Sequence, residues 1–515
     1  MPSAASAGER SGPRAVSVAA NSRWNLLALG FTLGAHFITV PFVIGRIGLA
    51  EFGHAGLVLA AWAPLLLVGT VIGQATTREM AERIGAGDTP GAERVAAAAL
   101  HLCALACLVG GVAFALLGPL LMAWLTESNR ALGDWRREFA IAGLGWAAQQ
   151  FALVLQGTVA ARQDYRSIAR ISAASAVATV ASTLAITAAV PSASGYLGGV
   201  SFGFVATALV CAVLTRRAAT GVQLSLRRHT HELGLLLRFG KWQTVAQLAG
   251  TLSNQIDRYV LGALAPAAVV GQYNAANRLQ EAAYVGVIKA AEVLFPRFGA
   301  MAQADPAVRA RFYLVASWVV MIFSMAVLAP LIPLAEPLLR LWAGAEVADG
   351  GATLLRTLVL GGLVGCGSNV FTYYLMGTGQ NAPVAALAVI YSVLTIVFTV
   401  VLLNVYGAMA AGAGLALASV ARVALALVFA RKRVFSLVPW SPLLISSMLP
   451  LGVGIGLAGA AAAWAAPGRI DNWPVLAVAY IAMALAVALT GLAATALTAF
   501  GRGLVRELAH AGRGP

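Results

Sequence analysis

The chain has 515 residues, 60% of them hydrophobic and only 11% charged, with a mean hydropathy of +0.81. Its 35 basic and 20 acidic residues are too few to cover a soluble protein of this length, because ordinary soluble domains are about a quarter charged. Residues 102–125 and 382–421 carry no charge at all, and a bilayer core takes about 20 apolar residues per helix, so the composition excludes a soluble protein and predicts an all-α, polytopic membrane protein.

Residues 1–22 are rich in Ser, Ala and Gly and read as a disordered cytoplasmic tail, not a signal peptide. Hydrophobic runs bounded by charge, Gly or Pro follow at 24–45, 55–77, 95–117, 139–161, 168–190, 195–215 and 241–263, then at 271–296, 312–335, 356–378, 383–404, 409–430, 442–465 and 474–498. This pattern predicts about fourteen membrane helices. Small residues four apart allow close helix approach, as at Gly30/Gly34, Gly69/Gly73, Gly195/Gly199/Gly203 and Gly361/Gly365. The four cysteines, Cys103, Cys107, Cys211 and Cys366, lie within apolar runs and read as small buried hydrophobes.

A net charge of +15 would suggest nucleic acid in a soluble chain; here it reports loops. With the N-terminus inside, the cytoplasmic segments hold 24 of the Lys and Arg residues and the outer segments 7, a positive-inside split. Both termini are then cytoplasmic and the chain is multi-pass in the cytoplasmic membrane, with no nucleic-acid partner.

The densest loop, around residues 218–240, separates halves that echo each other. Arg23-Trp24-Asn25 opens span one and Lys241-Trp242-Gln243 opens span seven. Gly45 then Gly53 is matched by Gly262 then Gly271, and Asp88-Thr89-Pro90 by Asp305-Pro306. Two six-span repeats in the same orientation follow. The expected organisation is an N-lobe over 23–217, a basic linker over 218–240, a C-lobe over 241–433, two appended spans over 434–500 and a cytoplasmic tail over 501–515.

Polar residues within spans are costly and mark cavities or partners. On span eight, Asn274, Arg278, Glu281, Lys289 and Glu292 fall within about 80° of arc along about 27 Å of helix. The pairs Arg278–Glu281 and Lys289–Glu292 are spaced to neutralise one another locally. Span seven groups Gln243, Gln247, Asn254, Asp257 and Arg258 within about 100°, and span one groups Asn25, Thr32, His36, Thr39 and Arg46 within about 80°. Lesser positions are Gln149, Gln150 and Gln156, Asn369 with Tyr373 and Tyr374, and Arg422. The expected cavity has Arg46, Arg258, Arg278 and Lys289 as cations, with Asn254 and Asn274 beside them. Arginine suits bidentate capture of phosphate oxygens, so the cavity favours an amphiphile with an anionic head. Asp257, Glu281, Glu292 and His36 suit proton or sodium coupling. No metal site and no organic cofactor are expected.

The segment Asn254-Gln255-Ile256-Asp257-Arg258-Tyr259-Val260-Leu261-Gly262, followed by Gly271-Gln272-Tyr273-Asn274, resembles the polysaccharide transporter (O-antigen flippase) family of the multidrug/oligosaccharidyl-lipid/polysaccharide exporter superfamily. The opening Gly45-Arg46-Ile47-Gly48 with Glu51-Phe52-Gly53 is also similar. The resemblance implies a two-lobed flippase that moves a polyprenyl-pyrophosphate-linked oligosaccharide across the membrane by alternating access. It implies the lipid-linked oligosaccharide and membrane lipids as partners, and glycan polymerase machinery as a candidate one. Its basic cavity residues, here Arg46, Arg258, Arg278 and Lys289, would meet the head group. A peptidoglycan-precursor flippase or a cation-coupled drug exporter shares the architecture. A membrane polymerase or ligase is disfavoured, since no HExxH, P-loop or nucleophile-elbow motif occurs and no large outer loop is present.

Overall fold

The computed structural model describes residues 18–125, 135–162, 164–217, 231–237, 255–292, 294–301, 304–436, 438–462 and 470–503. Among these residues the chain is helical, with no strand. The helices of the first half are α1 (Val18–Trp62), α2 (Leu67–Gly85), α3 (Thr89–Leu125), α4 (Trp135–Ala160), α5 (Tyr165–Ala189) and α6 (Ala193–Arg217). The second half holds α7 (Ile256–Leu264), α8 (Ala267–Glu292), α9 (Leu294–Ala300), α10 (Pro306–Leu328), α11 (Ala335–Ala343), α12 (Ala345–Cys366), α13 (Asn369–Gly377), α14 (Asn381–Tyr406) and α15 (Ala410–Phe429). Two further helices, α16 (Trp440–Ala462) and α17 (Trp473–Ala496), close the series.

Among the described residues, 11 helical stretches are long and apolar enough to cross a membrane. The protein is a polytopic all-α membrane protein. The difference from fourteen expected spans has three sources. The first two spans run on as one stretch, Phe37–Gly85, within which Gly48 at φ 79° breaks the helix; that region of backbone space is open to glycine and costly for other residues. Most of the seventh span lies outside the described residues. The eighth is a full helix, α8, whose Arg278, Glu281, Lys289 and Glu292 make it too polar to pass as an apolar span.

Helix starts are set locally. Asp305 accepts a hydrogen bond from the Ala307 backbone N–H at 2.7 Å, and Pro306 occupies the first position of α10, where its missing N–H has no helical partner to lose. At the equivalent place in the first half, Asp88 accepts from Gly91 N at 2.8 Å just before α3, and Pro90 follows Thr89. The repeated Asp-(Thr)-Pro is a repeated helix start. Asp164 and Asn472 cap α5 and α17 in the same way.

In the first lobe α6 packs along both α4 and α5, and α3 on α2 and α4. In the second, α15 packs on α12 and α14, and α9 on α13. The appended α16 and α17 pack on α10. Part of the basic linker is held down as well: Arg94 Nε on α3 lies 3.2 Å from Glu232 Oε1, and Leu236 is buried.

The lobes meet where α1 crosses α7 and α8. Helix α1 packs on α5 in its own lobe and on α8 in the other. Glycines allow this approach. A Cβ added to Gly53 would sit 1.9 Å from the Ala267 carbonyl oxygen, one at Gly271 would sit 2.4 Å from the Leu49 oxygen, and one at Gly262 would sit 2.5 Å from Leu57 Cδ2. Gly53 and Gly271, which match each other in the two repeats, face each other at this seam. The Tyr259 hydroxyl adds a bond to the Ala60 oxygen at 2.9 Å.

Candidate functional site

A cavity of about 540 Å³ opens between α1, α4, α5 and α6 on one side and α7 and α8 on the other. This volume is within the range of small-molecule sites. Its charged wall is built by two short stretches of the second lobe. The first turn of α7 presents Arg258, and successive turns of α8 present Asn274, Arg278 and Glu281. The spacing of 274, 278 and 281 puts all three on one face of the helix.

The charges on this wall are interlocked. Glu281 Oε1 lies 3.5 Å from Arg258 Nη2 and its Oε2 lies 3.6 Å from Arg278 Nη1, while Asn277 donates to Oε1 at 2.8 Å. Arg258 is 8% exposed, and its Nη1 donates to the Gln255 side-chain oxygen. Its Nε is buried with no hydrogen-bond partner, as is the Asn274 Nδ2. The cavity lining thus carries two guanidinium groups against one carboxylate, with two buried donors unused and with Asp257, outside the lining, within electrostatic reach of Arg258 as a second anion. Buried donors without partners are costly, and an excess cation in a low-dielectric cavity favours an anion. Gly56 makes room for this wall: a Cβ there would sit 2.0 Å from Asn274 Nδ2.

The other expected site residues lie elsewhere. Asp257 is outside the cavity lining, and its Oδ1 accepts from the Arg258 backbone N–H at 2.9 Å. Lys289 and Glu292 pair with each other at 2.7 Å, each side chain 48% exposed, beyond the part of α8 that lines the cavity. Arg46 is exposed, its guanidinium 5.7 Å from the Phe42 ring centroid, and it does not line the cavity either. Asn254 and the side chain of His36 lie outside the described residues. Of the carboxylates considered for ion coupling, Glu281 is the one in the cavity lining among the described residues.

The lesser polar positions divide in the same way. Gln149 and Gln156 line the cavity. Gln150 is buried and accepts from the Gly69 backbone N–H at 2.7 Å, which ties α4 to α2. Asn369 donates to the Tyr284 hydroxyl at 3.3 Å, and the Arg422 guanidinium sits 5.0 Å from the Tyr391 ring centroid. Among the described residues, no three His, Cys, Asp or Glu side chains gather as a metal site would require.

A family model described as "Polysaccharide biosynthesis protein" matches residues 18–302, more than half of the chain. The chain belongs to this polysaccharide biosynthesis protein family. A second model, MatE, matches residues 244–401, so the two matches together reach from residue 18 to residue 401. No curated protein matches the chain. Among solved structures, the fold is similar to the lipid II flippase MurJ in its inward closed conformation, at 12% identity over 95% of this chain and 100% of that one, with a TM-score of 0.72. It is similar to an inward-facing multidrug resistance MATE family transporter at 16% identity over 80% of this chain and 98% of that one, with a TM-score of 0.68. A transporter from Pyrococcus furiosus Vc1, titled as having reversed binding-pocket polarity, aligns at 17% identity over 81% of this chain and 95% of that one, with a TM-score of 0.57. The fold is therefore one shared with solved MATE family transporters and with the lipid II flippase MurJ.

One ionisable pair in this family member has no counterpart in the reading of its sequence. His54 on α1 and Glu138 on α4 hydrogen-bond through Nε2 and Oε2. Both are buried, at 0% and 2% exposure. The imidazole packs over the Trp135 ring at 3.9 Å between centroids, and its Nδ1 is buried without a partner. His54 points away from the cavity, since Phe52 and Gly56 on the same helix are the lining residues. In the sequence Glu138 directly follows Arg136 and Arg137 at the edge of the run at 139–161, a pattern that does not tell a buried carboxylate from one in a loop.

Proposed function

We propose that the protein is a flippase that moves a polyprenyl-pyrophosphate-linked oligosaccharide across the cytoplasmic membrane for cell-surface polysaccharide synthesis, by alternating access of its two lobes. The observation that carries this reading is the wall formed by Arg258, Asn274 and Arg278: two arginines share one carboxylate, and buried donors on Arg258 and Asn274 lack partners. A pyrophosphate supplies the missing acceptors and the missing negative charge, and arginine matches its oxygens two at a time. The family match supports a role in polysaccharide biosynthesis. The 24-to-7 split of basic residues supports cytoplasmic termini, which places the seam at Gly53 and Gly271 towards the outer face.

A peptidoglycan lipid precursor is the second reading. The fit of the lipid II flippase to 95% of the chain, against 80% for the multidrug transporter, supports it. Both substrates carry a lipid pyrophosphate, so both use the same wall. A cationic drug would meet two arginines of its own sign.

The test is transfer in proteoliposomes of a fluorescent polyprenyl-pyrophosphoryl oligosaccharide, scored by access to a membrane-impermeant quencher. Arg258→Gln and Arg278→Gln are expected to lower the rate at least about tenfold each, since a charge-assisted hydrogen bond contributes about 1.5–3 kcal/mol. Wild-type rates in both inserted variants would remove the site. Transfer of a polyprenyl-linked lipid II analogue in preference to the oligosaccharide would decide for the second reading.

A further inference from the structure

The charged wall occupies one side of the cavity, and the opposite side has a different chemistry. Every charged lining residue among those described comes from α7 or α8; α1, α4, α5 and α6 line the cavity without a charge. Two aromatic pairs bridge α1 and α6 on that side: Trp62 with Phe204, centroids 5.5 Å apart, and Phe52 with Tyr196 at 5.9 Å. From α4, Gln149 and Gln156 add two amides to the lining; they are seven residues apart and so on one face, about 10 Å apart along the axis.

The amides are preset. The indole Nε1 of Trp62 donates to Gln149 Oε1 at 2.7 Å. An indole N–H is only a donor, so the bonded atom must be the carbonyl oxygen, and the Gln149 NH2 is the half left to the cavity. Gln156 has its Nε2 towards Cys211 Sγ at 4.0 Å, which leaves its carbonyl oxygen as an acceptor. Thr179 on α5 adds a hydroxyl to the same lining, and Ser175, which donates to the Thr207 hydroxyl at 2.7 Å, adds an acceptor oxygen. Ring faces, a fixed amide donor, an amide acceptor and hydroxyls match the C–H faces and hydroxyls of a sugar.

We infer that this uncharged wall is a saccharide subsite, which takes the neutral sugar joined to the pyrophosphate held by Arg258 and Arg278. The inference rests on the head-group reading above and adds a selectivity to it. A sugar bearing a carboxylate would place an anion against a wall that carries no cation of its own, in competition with the pyrophosphate for Arg278, and such burial is costly without a partner. A neutral sugar needs no counter-charge from this wall. The two walls divide the head group: α7 and α8 take the phosphates, and α1, α4, α5 and α6 take the sugar.

The experiment measures binding to the full chain in nanodiscs of three probes: polyprenyl pyrophosphate, polyprenyl-pyrophosphoryl glucose and polyprenyl-pyrophosphoryl glucuronic acid. In the wild type, glucose is expected to tighten binding about tenfold over the bare pyrophosphate, equivalent to about 1.4 kcal/mol, and glucuronic acid is expected not to. Gln149→Leu and Gln156→Leu are expected to reduce the glucose gain below about twofold while the bare probe binds as before. Arg258→Gln weakens all three probes. If glucose adds nothing, if glucuronic acid binds as tightly as glucose, or if the glutamine variants weaken the bare probe equally, the subsite is overturned and the head-group site stands. If the bare pyrophosphate does not bind, or binds independently of Arg258, the head-group reading itself fails. The wild-type comparison of the three probes decides the neutral preference even if a glutamine variant does not insert.

Discussion

Replacing Gly53 by alanine tests the seam between the lobes directly. The added Cβ would lie 1.9 Å from the Ala267 oxygen, 2.7 Å from the Gly271 nitrogen and 2.9 Å from the Ala267 carbonyl carbon. All three are backbone atoms, so no rotamer change relieves the clash. Moving the nearest contact out to 3.0 Å requires α1 and α8 to separate by about 1 Å, and overpacking of this kind costs about 1–3 kcal/mol. The control is Gly30→Ala, where no described atom lies within 4 Å of the new Cβ and helix propensity favours alanine by up to about 1 kcal/mol. Thermal unfolding of the two variants in detergent should show Gly53→Ala melting several degrees below wild type and Gly30→Ala at or above it. Spin labels on α1 and α8 should report a wider separation in Gly53→Ala alone. Equal melting of the two variants, with unchanged label distances, would refute the idea that this glycine contact joins the lobes.

Glu138→Ala is expected to destabilise the protein by about 1–3 kcal/mol by leaving the buried His54 ring nitrogen without its partner, and Glu138→Gln, which keeps a hydrogen-bonding oxygen, by less; a thermal-shift series in which both variants melt as the wild type does would show that the pair does not matter. Lys289→Ala and Glu292→Ala remove an exposed pair and should change stability by no more than about 1 kcal/mol, with wild-type binding of polyprenyl pyrophosphate; a large loss of binding would extend the site along α8. Asp88 sits in the loop before α3, where the Gly91 N–H, aided by Arg83 and Arg94, holds its carboxyl below the ordinary value of 3.8. The folded state therefore favours the ionised form: the contribution is present above pH 3.8 and is lost as pH falls below it. Melting temperature measured through that window should fall less in Asp88→Asn than in wild type; parallel curves would remove Asp88 from the account.

The membrane spans were legible because apolar runs and loop charges are local properties, and the same locality explains what was missed. The Asn274, Arg278 and Glu281 face could be read from spacing alone, since a helix fixes which residues share a side. Spacing does not say where a cavity ends, so Lys289 and Glu292 were grouped with them although they pair with each other outside the lining. The glycine motifs behave alike on paper and differently in space: Gly69 would strike Gln150 and Gly203 would strike Thr179, whereas Gly30 and Gly34 meet no described atom. Pairing between distant positions, such as His54 with Glu138, 84 residues apart, depends on how helices are arranged and leaves no periodic trace. Gly48 was visible as a glycine but not as the residue at φ 79° that divides α1.

Because α1 is shared by both lobes, the order of synthesis has a consequence for assembly. Among the described residues, the nearest atoms to a Cβ at Gly53 or Gly56 belong to Ala267, Gly271 and Asn274, about two hundred residues later in the chain. At about 5–20 residues per second, the first lobe waits some 10–40 seconds with one side open to lipid or to a holding partner in the insertion machinery. Its first six helices, produced as a separate polypeptide, should accordingly be short-lived in the membrane and be rescued when the remaining helices are supplied in trans.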